Sequence, residues 1–230
     1  MTEFLEFETF LSISPNKFSI YLIETKNHEI LYQKDYSFKN ENTSNDFNNL
    51  DKFLKENIFK IEKLIKKFVK NIFLIIEHEK IINHLIGIKK KNINTKYIRN
   101  VVTEVKDLFN KNYNDYQIMH IIINKILIDG SHHPKFVSGL EAKYISLEIQ
   151  FIAIPKVLSL EFEKILQNYQ IKITSYLDKR YIQNFCSDSE IGIPSMALKI
   201  LNGYNNNEVK LVPKNIKKPG FFEKFFQLFS

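Results

Sequence analysis

The stretch YQIMHIIINKILIDG, residues 116–130, is apolar at consecutive positions, with Ile121, Ile122 and Ile123 in a row. A strand with one wet face alternates apolar and polar residues; a strand apolar on both sides must be covered on both. The segment therefore predicts a long central strand. After the loop GSHHPKFVSG comes LEAKYISLEIQFIAI, which does alternate. There Ile145, Leu147, Ile149 and Phe151 point one way, and Ser146, Glu148 and Gln150 the other.

The rest of the chain supplies shorter strands and three or four helices. FETFLSIS and KFSIYLIE read as strands joined at SPNK, with Pro15 at a turn-favouring position, and HEILYQKDYSF completes a meander. A helix is predicted from about Leu50 to Lys70, with Leu54, Ile58, Ile61, Ile65, Phe68 and Val69 on one face and lysines opposite. NIFLIIEH and HLIGIKKK read as short strands. NTKYIRNVVTEVKDLF is a second amphipathic helix, striped by Ile98, Val101, Val102, Val105, Leu108 and Phe109 and capped by Thr95. VLSLEFEKILQNYQ is a third helix and IKITSYLD a strand. KRYIQNFCSDSE reads as irregular, and IPSMALKILNGYNNN as a helix stopped by Gly203. The class is α/β with mixed sheets.

At 230 residues and 44% hydrophobic content, the chain has room for one or two domains. A net charge of +7 suits a nucleic-acid or anionic-membrane partner without requiring one. Cys186 is the single cysteine, so no internal disulfide or cysteine metal framework can form, and a reducing cytosol is expected. The opening MTEFLEFETF is too acidic and too short in apolar length for a signal peptide, and no run approaches the length of a membrane span.

Candidate chemistry is sparse. His132 and His133 stand in a loop with Asp129, but adjacent histidines cannot both serve one metal well, and they read as a solvated turn. His78 and His84 lie near Glu77 and Glu79 without helical spacing. Cys186 has no cysteine–histidine signature, and Ser14, Ser138 and Ser195 have no nucleophile-elbow context. GIKKKN, residues 87–92, is basic but has no aromatic or glycine-rich reader beside it, and reads as a solvated loop. No catalytic residue, cofactor, metal or nucleic-acid partner is expected.

The tail does carry a signal. Phe221, Phe222, Phe225, Phe226 and Phe229 make up five of the last ten residues and share one face of a helix, with Glu223, Lys224 and Gln227 on the other. Lys210, Lys214, Lys217 and Lys218 precede them, and Pro219 and Gly220 mark where linker gives way to helix. An aromatic face with a basic flank is the pattern of an interfacial amphipathic helix on an anionic membrane. A short helix of this kind orders on binding. Docking on the protein's own core, or in a partner's groove, gives the same sequence pattern.

The order of parts resembles FtsA, the actin-like protein that tethers the bacterial division ring to the membrane. The carrying segment is ILIDGSHHPKFVSGLEAKYISLEIQFI, in which Asp129, Gly130, Pro134, Gly139, Leu140, Glu141 and Ala142 match the family's turn, loop and strand. VLSLEFEKILQNYQIKITSYL resembles the continuation, and the basic linker and GFF-type terminal helix resemble the family's ending. The glycine-rich phosphate loop of the second half has no counterpart, and Ser12, Ile13, Ser14 and Pro15 replace the first.

The resemblance implies a truncated actin-like body. Residues 1–70 and 179–204 would form a partial first subdomain, and 71–178 the family's inserted SHS2-type subdomain. Residues 205–218 would form a basic linker and 219–230 a membrane-targeting helix. It implies a non-catalytic division adaptor on the cytoplasmic face of the inner membrane, at the division site. The membrane would be held by the five phenylalanines with Lys214, Lys217, Lys218 and Lys224. Division proteins, or further copies of the chain, would meet the 71–178 region, with Asp129, Gly130, Pro134, Gly139 and Glu141 as partner-binding positions. The family's ring-protein contact belongs to the missing half, so direct FtsZ contact is doubtful. A pilus- or secretion-type actin-like scaffold and a basic nucleic-acid-binding module are the alternatives.

Overall fold

The structure is a computed structural model that describes residues 6–38, 47–134, 139–185 and 192–210. Strands β1 (Phe7–Ser14), β2 (Lys17–Glu24) and β3 (Ile30–Ser37) form the expected antiparallel meander. Pro15 and Asn16 make the two-residue loop between Ser14 and Lys17, which face each other across the ladder. Strand β4 (Asn71–Ile76) joins parallel to β1, and β9 (Lys172–Asp178) parallel to β4. The resulting five-stranded sheet has the order β3-β2-β1-β4-β9.

Alternation along β1 sends Leu11 and Ile13 to one face and Phe10 to the other, and both faces are covered. Helices α1 (Phe47–Ile65) and α3 (Lys156–Gln167) cover the first through Leu50, Phe53, Leu54, Ile58, Leu158 and Phe162. Helices α4 (Lys179–Gln183) and α5 (Ile193–Leu201) cover the second through Tyr181, Ile182, Met196 and Ile200. The stretch expected to be irregular after Asp178 thus begins with a short helix, capped by the Asp178 carboxylate, which accepts from Tyr181 N at 2.7 Å. Helix α1 ends earlier than its apolar spacing predicts. Lys66 adopts φ +56°, the helix stops at Ile65, and Phe68 is 79% exposed instead of lying in the stripe.

A second, antiparallel sheet has the order β5-β8-β6-β7, from β5 (Ile82–Asn94), β6 (Tyr116–Ile128), β7 (Ser131–His132) and β8 (Glu141–Pro155). Helix α2 (Ile98–Asn112) packs on it through Ile98, Val101, Val102, Val105 and Phe109. Leu108, expected in that stripe, is exposed, and Thr95 does not cap the helix. Its hydroxyl instead accepts from Leu140 N at 2.8 Å.

The reason β6 is apolar on both sides is now visible. Ile121, Ile123, Ile126 and Ile128 face α2, while Ile122 enters the core shared with β1, α4 and α5. Residues 87–92, expected as a solvated loop, lie within β5. Lys90 pairs with Glu104 of α2 at 2.7 Å, and Lys89 stands 4.0 Å from the Tyr144 ring centre.

The sheets do not divide at residues 71 and 178. Strands β4 and β9 and helix α3 belong to the first sheet and its core, so the second sheet with α2 spans 82–155. An apolar run such as NIFLII fits either sheet, and only its parallel pairing with β1 decides. The expected linker 205–218 also begins with ordered contacts: Asn207 O accepts from Ile123 N at 2.9 Å, and Val209 N donates to Ile121 O at 2.8 Å. Residues 211–218 and the tail 219–230 lie outside the described residues.

Candidate functional site at the carboxyl ends of the parallel strands

Sheet order reverses at β1. The chain runs outward from β1 to β2 and β3, then returns to lay β4 and β9 on the other side. In open α/β sheets, ligands bind outside the carboxyl ends of the strands at such a switch point. Ser14 ends β1, Glu77 follows β4, and Asp178 and Lys179 stand at the end of β9.

These side chains close on each other. Lys179 Nζ donates to Glu77 Oε2 at 2.6 Å and to Ser14 Oγ at 2.7 Å. Burial alone would raise the Glu77 pKa. The hydrogen bond and charge of Lys179, with help from Ser14 and Arg180, outweigh it and hold the carboxylate below its ordinary value. A phosphate at this position needs backbone N–H groups and a cation with charge to spare. The β1–β2 loop begins with Pro15, which has no N–H, and contains no glycine, while Lys179 is engaged by Glu77.

His78 follows Glu77 and is buried; its Nδ1 accepts from Lys80 N at 3.0 Å. Burial chiefly, and then Lys80 against the opposing pull of Glu79, lowers its pKa. His78 Nδ1 is thus used in its own turn, and the Ser14 hydroxyl is shared between Lys179 and the Glu77 carboxylate.

A second polar group lies where the two sheets meet. His120 of β6 is buried among Tyr181 and Glu208: Nδ1 is 2.7 Å from Glu208 Oε1, and Nε2 accepts from Asp178 N at 3.0 Å. Tyr181 Oη donates to Glu208 Oε2 at 3.0 Å and accepts from Asn205 Nδ2 at 2.8 Å. Burial raises the Asp178 pKa against the bonds and charges of Tyr181, His120 and Arg180. It also raises that of Tyr181, where the Glu208 charge adds to the effect and the Asn205 bond works against it. Clefts of about 430 Å³ and 840 Å³ flank this network, the first touching Tyr181 and Asn205, the second His120 and Glu208.

The partner-binding positions expected from sequence, Asp129, Gly130, Pro134, Gly139 and Glu141, are all exposed, and four of them also shape the local fold. Asp129 (φ +49°) and Gly130 (φ +86°) make the β6–β7 turn, and Asp129 Oδ1 accepts from Tyr144 N at 2.9 Å. Gly139 has φ +88° at the entry to β8, and Glu141 accepts from Asn94 of β5. These four lie at one end of the second sheet, whereas Pro134 lies with His132 and His133 along the open side of β6. Among the described residues no group of three histidine, cysteine, aspartate or glutamate side chains could hold a metal. Among the described residues no helix is long and apolar enough to cross a membrane. The membrane-binding positions Lys214, Lys217, Lys218, Phe221, Phe222, Lys224, Phe225, Phe226 and Phe229 lie outside the described residues.

Sequence reading passed over Lys179, His120 and Glu208, and met Glu77 only as a neighbour of His78. Glu77 and Lys179 directly follow strands, where charged residues often mark strand ends. The lone histidine in IMHIII was the clearer sign, because a polar ring on a covered strand requires a partner.

No protein-family model matches the sequence, and no curated protein matches it. Among solved structures, the chain is similar to the cytoplasmic domain of EpsL, an inner-membrane component of the type II secretion system of Vibrio cholerae. That likeness has 8% identity and a TM-score of 0.41, and covers 77% of this chain and 59% of that one. It is similar to a PilM–PilN type IV pilus biogenesis complex, with 9% identity, a TM-score of 0.48, and coverage of 77% and 49%. It is also similar to a protein of Bacteroides thetaiotaomicron described as having an actin-like ATPase fold and unknown function. Identity there is 14%, the TM-score 0.38, and coverage 84% and 61%. The matches thus span about half to three fifths of those chains, and at these scores the likeness carries no argument about function. None of these three descriptions names FtsA or cell division.

Proposed function

We propose that this chain is a non-catalytic scaffold that sits on a membrane surface through its phenylalanine-rich tail and presents its two-sheet body to other proteins. The observation that carries this reading is the closed switch point. The ion pair of Lys179 with Glu77, bonded also to Ser14, fills the position where an open α/β sheet would receive a ligand. A body without a ligand at that position acts through its surfaces, and the tail supplies an aromatic, basic means of attachment.

On this reading the protein works at the inner face of the membrane, in a pilus- or secretion-type assembly or at the division ring. The descriptions of EpsL and PilM name machines of the first kind. The division reading rests on the order of parts in the sequence alone. Capture of partners by the full-length chain separates the two.

The test of the scaffold reading is co-sedimentation with anionic vesicles, alongside calorimetric titration with ATP. The expected result is that the chain pellets with vesicles, that Phe222→Glu with Phe226→Glu returns it largely to the supernatant, and that ATP gives no binding heat. Saturable ATP binding, or unchanged pelleting of the double variant, overturns it.

A further inference from the structure

One stretch outside the tail region carries much of the chain's net positive charge. Residues 52–70 carry seven lysines against Glu56 and Glu62, which accounts for five of the seven net charges of the whole sequence. Helix α1 turns Leu50, Phe53, Leu54, Ile58 and Ile61 into the core. At about 100° per residue, Phe59 points directly away from that buried face, with Lys52, Lys55 and Lys63 beside it. These lysines, and Lys60, Lys66 and Lys70, are exposed.

Within this field of charge stand two bare aromatic side chains. Phe59 is 69% exposed, and Phe68, just past the end of the helix, is 79% exposed. Glu62 Oε1 accepts from Val69 N at 3.0 Å where the chain leaves the helix, and Glu56 and Glu62 together leave the seven lysines a net excess of five. At these exposures both rings project from the surface.

We propose that this outer face of α1 and the turn after it form a second membrane contact, with the lysines over anionic headgroups and Phe59 and Phe68 at the acyl boundary. The chemistry is that of an interfacial helix: rings that reach past a basic flank into a surface both apolar and negative. The charge complementarity selects the occupant, since duplex nucleic acid answers the lysines but offers nothing to projecting phenylalanines. The inference rests on the reading of the protein as membrane-attached, and deepens it. Two weak contacts on one chain reinforce each other through effective concentration, and they fix the body's orientation as the tail alone could not.

The chain contains no tryptophan, so Phe59→Trp in the full-length protein gives a single reporter on an exposed site. Its emission is expected to shift to the blue with vesicles containing phosphatidylglycerol, and to stay put with phosphatidylcholine alone. Phe59→Ser with Phe68→Ser is expected to weaken vesicle binding about tenfold, by analogy with the loss of two partly buried rings, with the thermal midpoint unchanged. The inference is overturned if the reporter does not shift while the protein pellets with the vesicles, or if the serine variant binds as tightly as the parent. It is also overturned if duplex DNA competes the protein off vesicles at equal salt. A tail variant that no longer binds while the serine variant binds normally sinks this inference and leaves the tail reading standing. A serine variant that fails to bind while the tail variant binds normally does the reverse.

Discussion

Glu208 Oε1 lies 2.7 Å from His120 Nδ1, and the two come from distant parts of the chain: His120 from β6, Glu208 from the last described residues. Both side chains are largely buried, at 1% and 10% exposure. The contact ties the segment after α5 to the second sheet, next to the backbone bonds of Ile123 with Asn207 and Val209 with Ile121. Glu208→Ala removes the acceptor for both His120 and Tyr181 and leaves two buried donors unpaired. We expect a loss of about 1–3 kcal/mol of stability, as for other buried polar groups deprived of a partner. Faster amide hydrogen exchange at Ile123 and Val209 than in the parent would accompany it. Unchanged exchange there would mean that the backbone bonds hold the segment without the side chains.

The pairing of Glu77 with Lys179 makes a pH prediction. Glu77 is held below the ordinary carboxylate value of 4.5, so its contribution to stability is fully present above that value. It is lost as pH falls through the lower, folded-state value. Glu77→Gln lacks this dependence. The gap in stability between parent and variant, measured by denaturant titration, should therefore be widest near neutrality and shrink below about pH 4.5. Lys179→Met should lower stability at neutral pH and bring the titration of Glu77, followed by NMR, back up. A gap that stays constant with pH would show that the pair contributes no charge-dependent term.

How far the sequence foretold this structure depends on the range of the interactions. The meander, the apolar faces of α1 and α2, and the alternation of β8 are local patterns, and Leu54, Val102 and Phe151 are buried as their spacing predicts. The allocation of β4 and β9 to the first sheet was not legible, because a short apolar strand names no partner. Neither was the use of Thr95, which the sequence offers as a cap and the fold spends on Leu140, a residue far along the chain. At the candidate site the missing phosphate loop could be read from Pro15 and Ser14. What fills its place could not, because Lys179 reaches Ser14 across most of the chain.

Phe109 should be among the most sensitive core positions. It is fully buried and stacks on Phe151 with ring centres 4.7 Å apart and on Tyr113 at 4.9 Å. These contacts hold α2 on the second sheet. Phe109→Ala is expected to cost about 3–5 kcal/mol, the range for deleting a large buried ring. Phe59→Ala, on the exposed side of α1, should cost little by comparison. Chemical denaturation of both variants checks the contrast, and equal losses would contradict the assignment of Phe109 to the core.

The β6–β7 turn separates a structural role from a partner role for the Asp129–Gly130 pair. Gly130 holds φ +86°, which side-chain-bearing residues adopt only with strain, and a Cβ there would meet Tyr144 Oη at 3.0 Å. Gly130→Ala is therefore expected to destabilise by about 1 kcal/mol or more from the backbone alone. Tyr144→Phe in the same background relieves the contact but not the φ strain, so it should recover only part of the loss. Asp129→Ala removes the acceptor for Tyr144 N, an exposed bond at the end of the β6–β8 ladder where water can replace it, and should cost less than the glycine change. If thermal melts show this ranking while partner capture is unchanged, the pair is a turn and nothing more. If capture fails in Asp129→Ala with stability intact, the turn is also a contact surface.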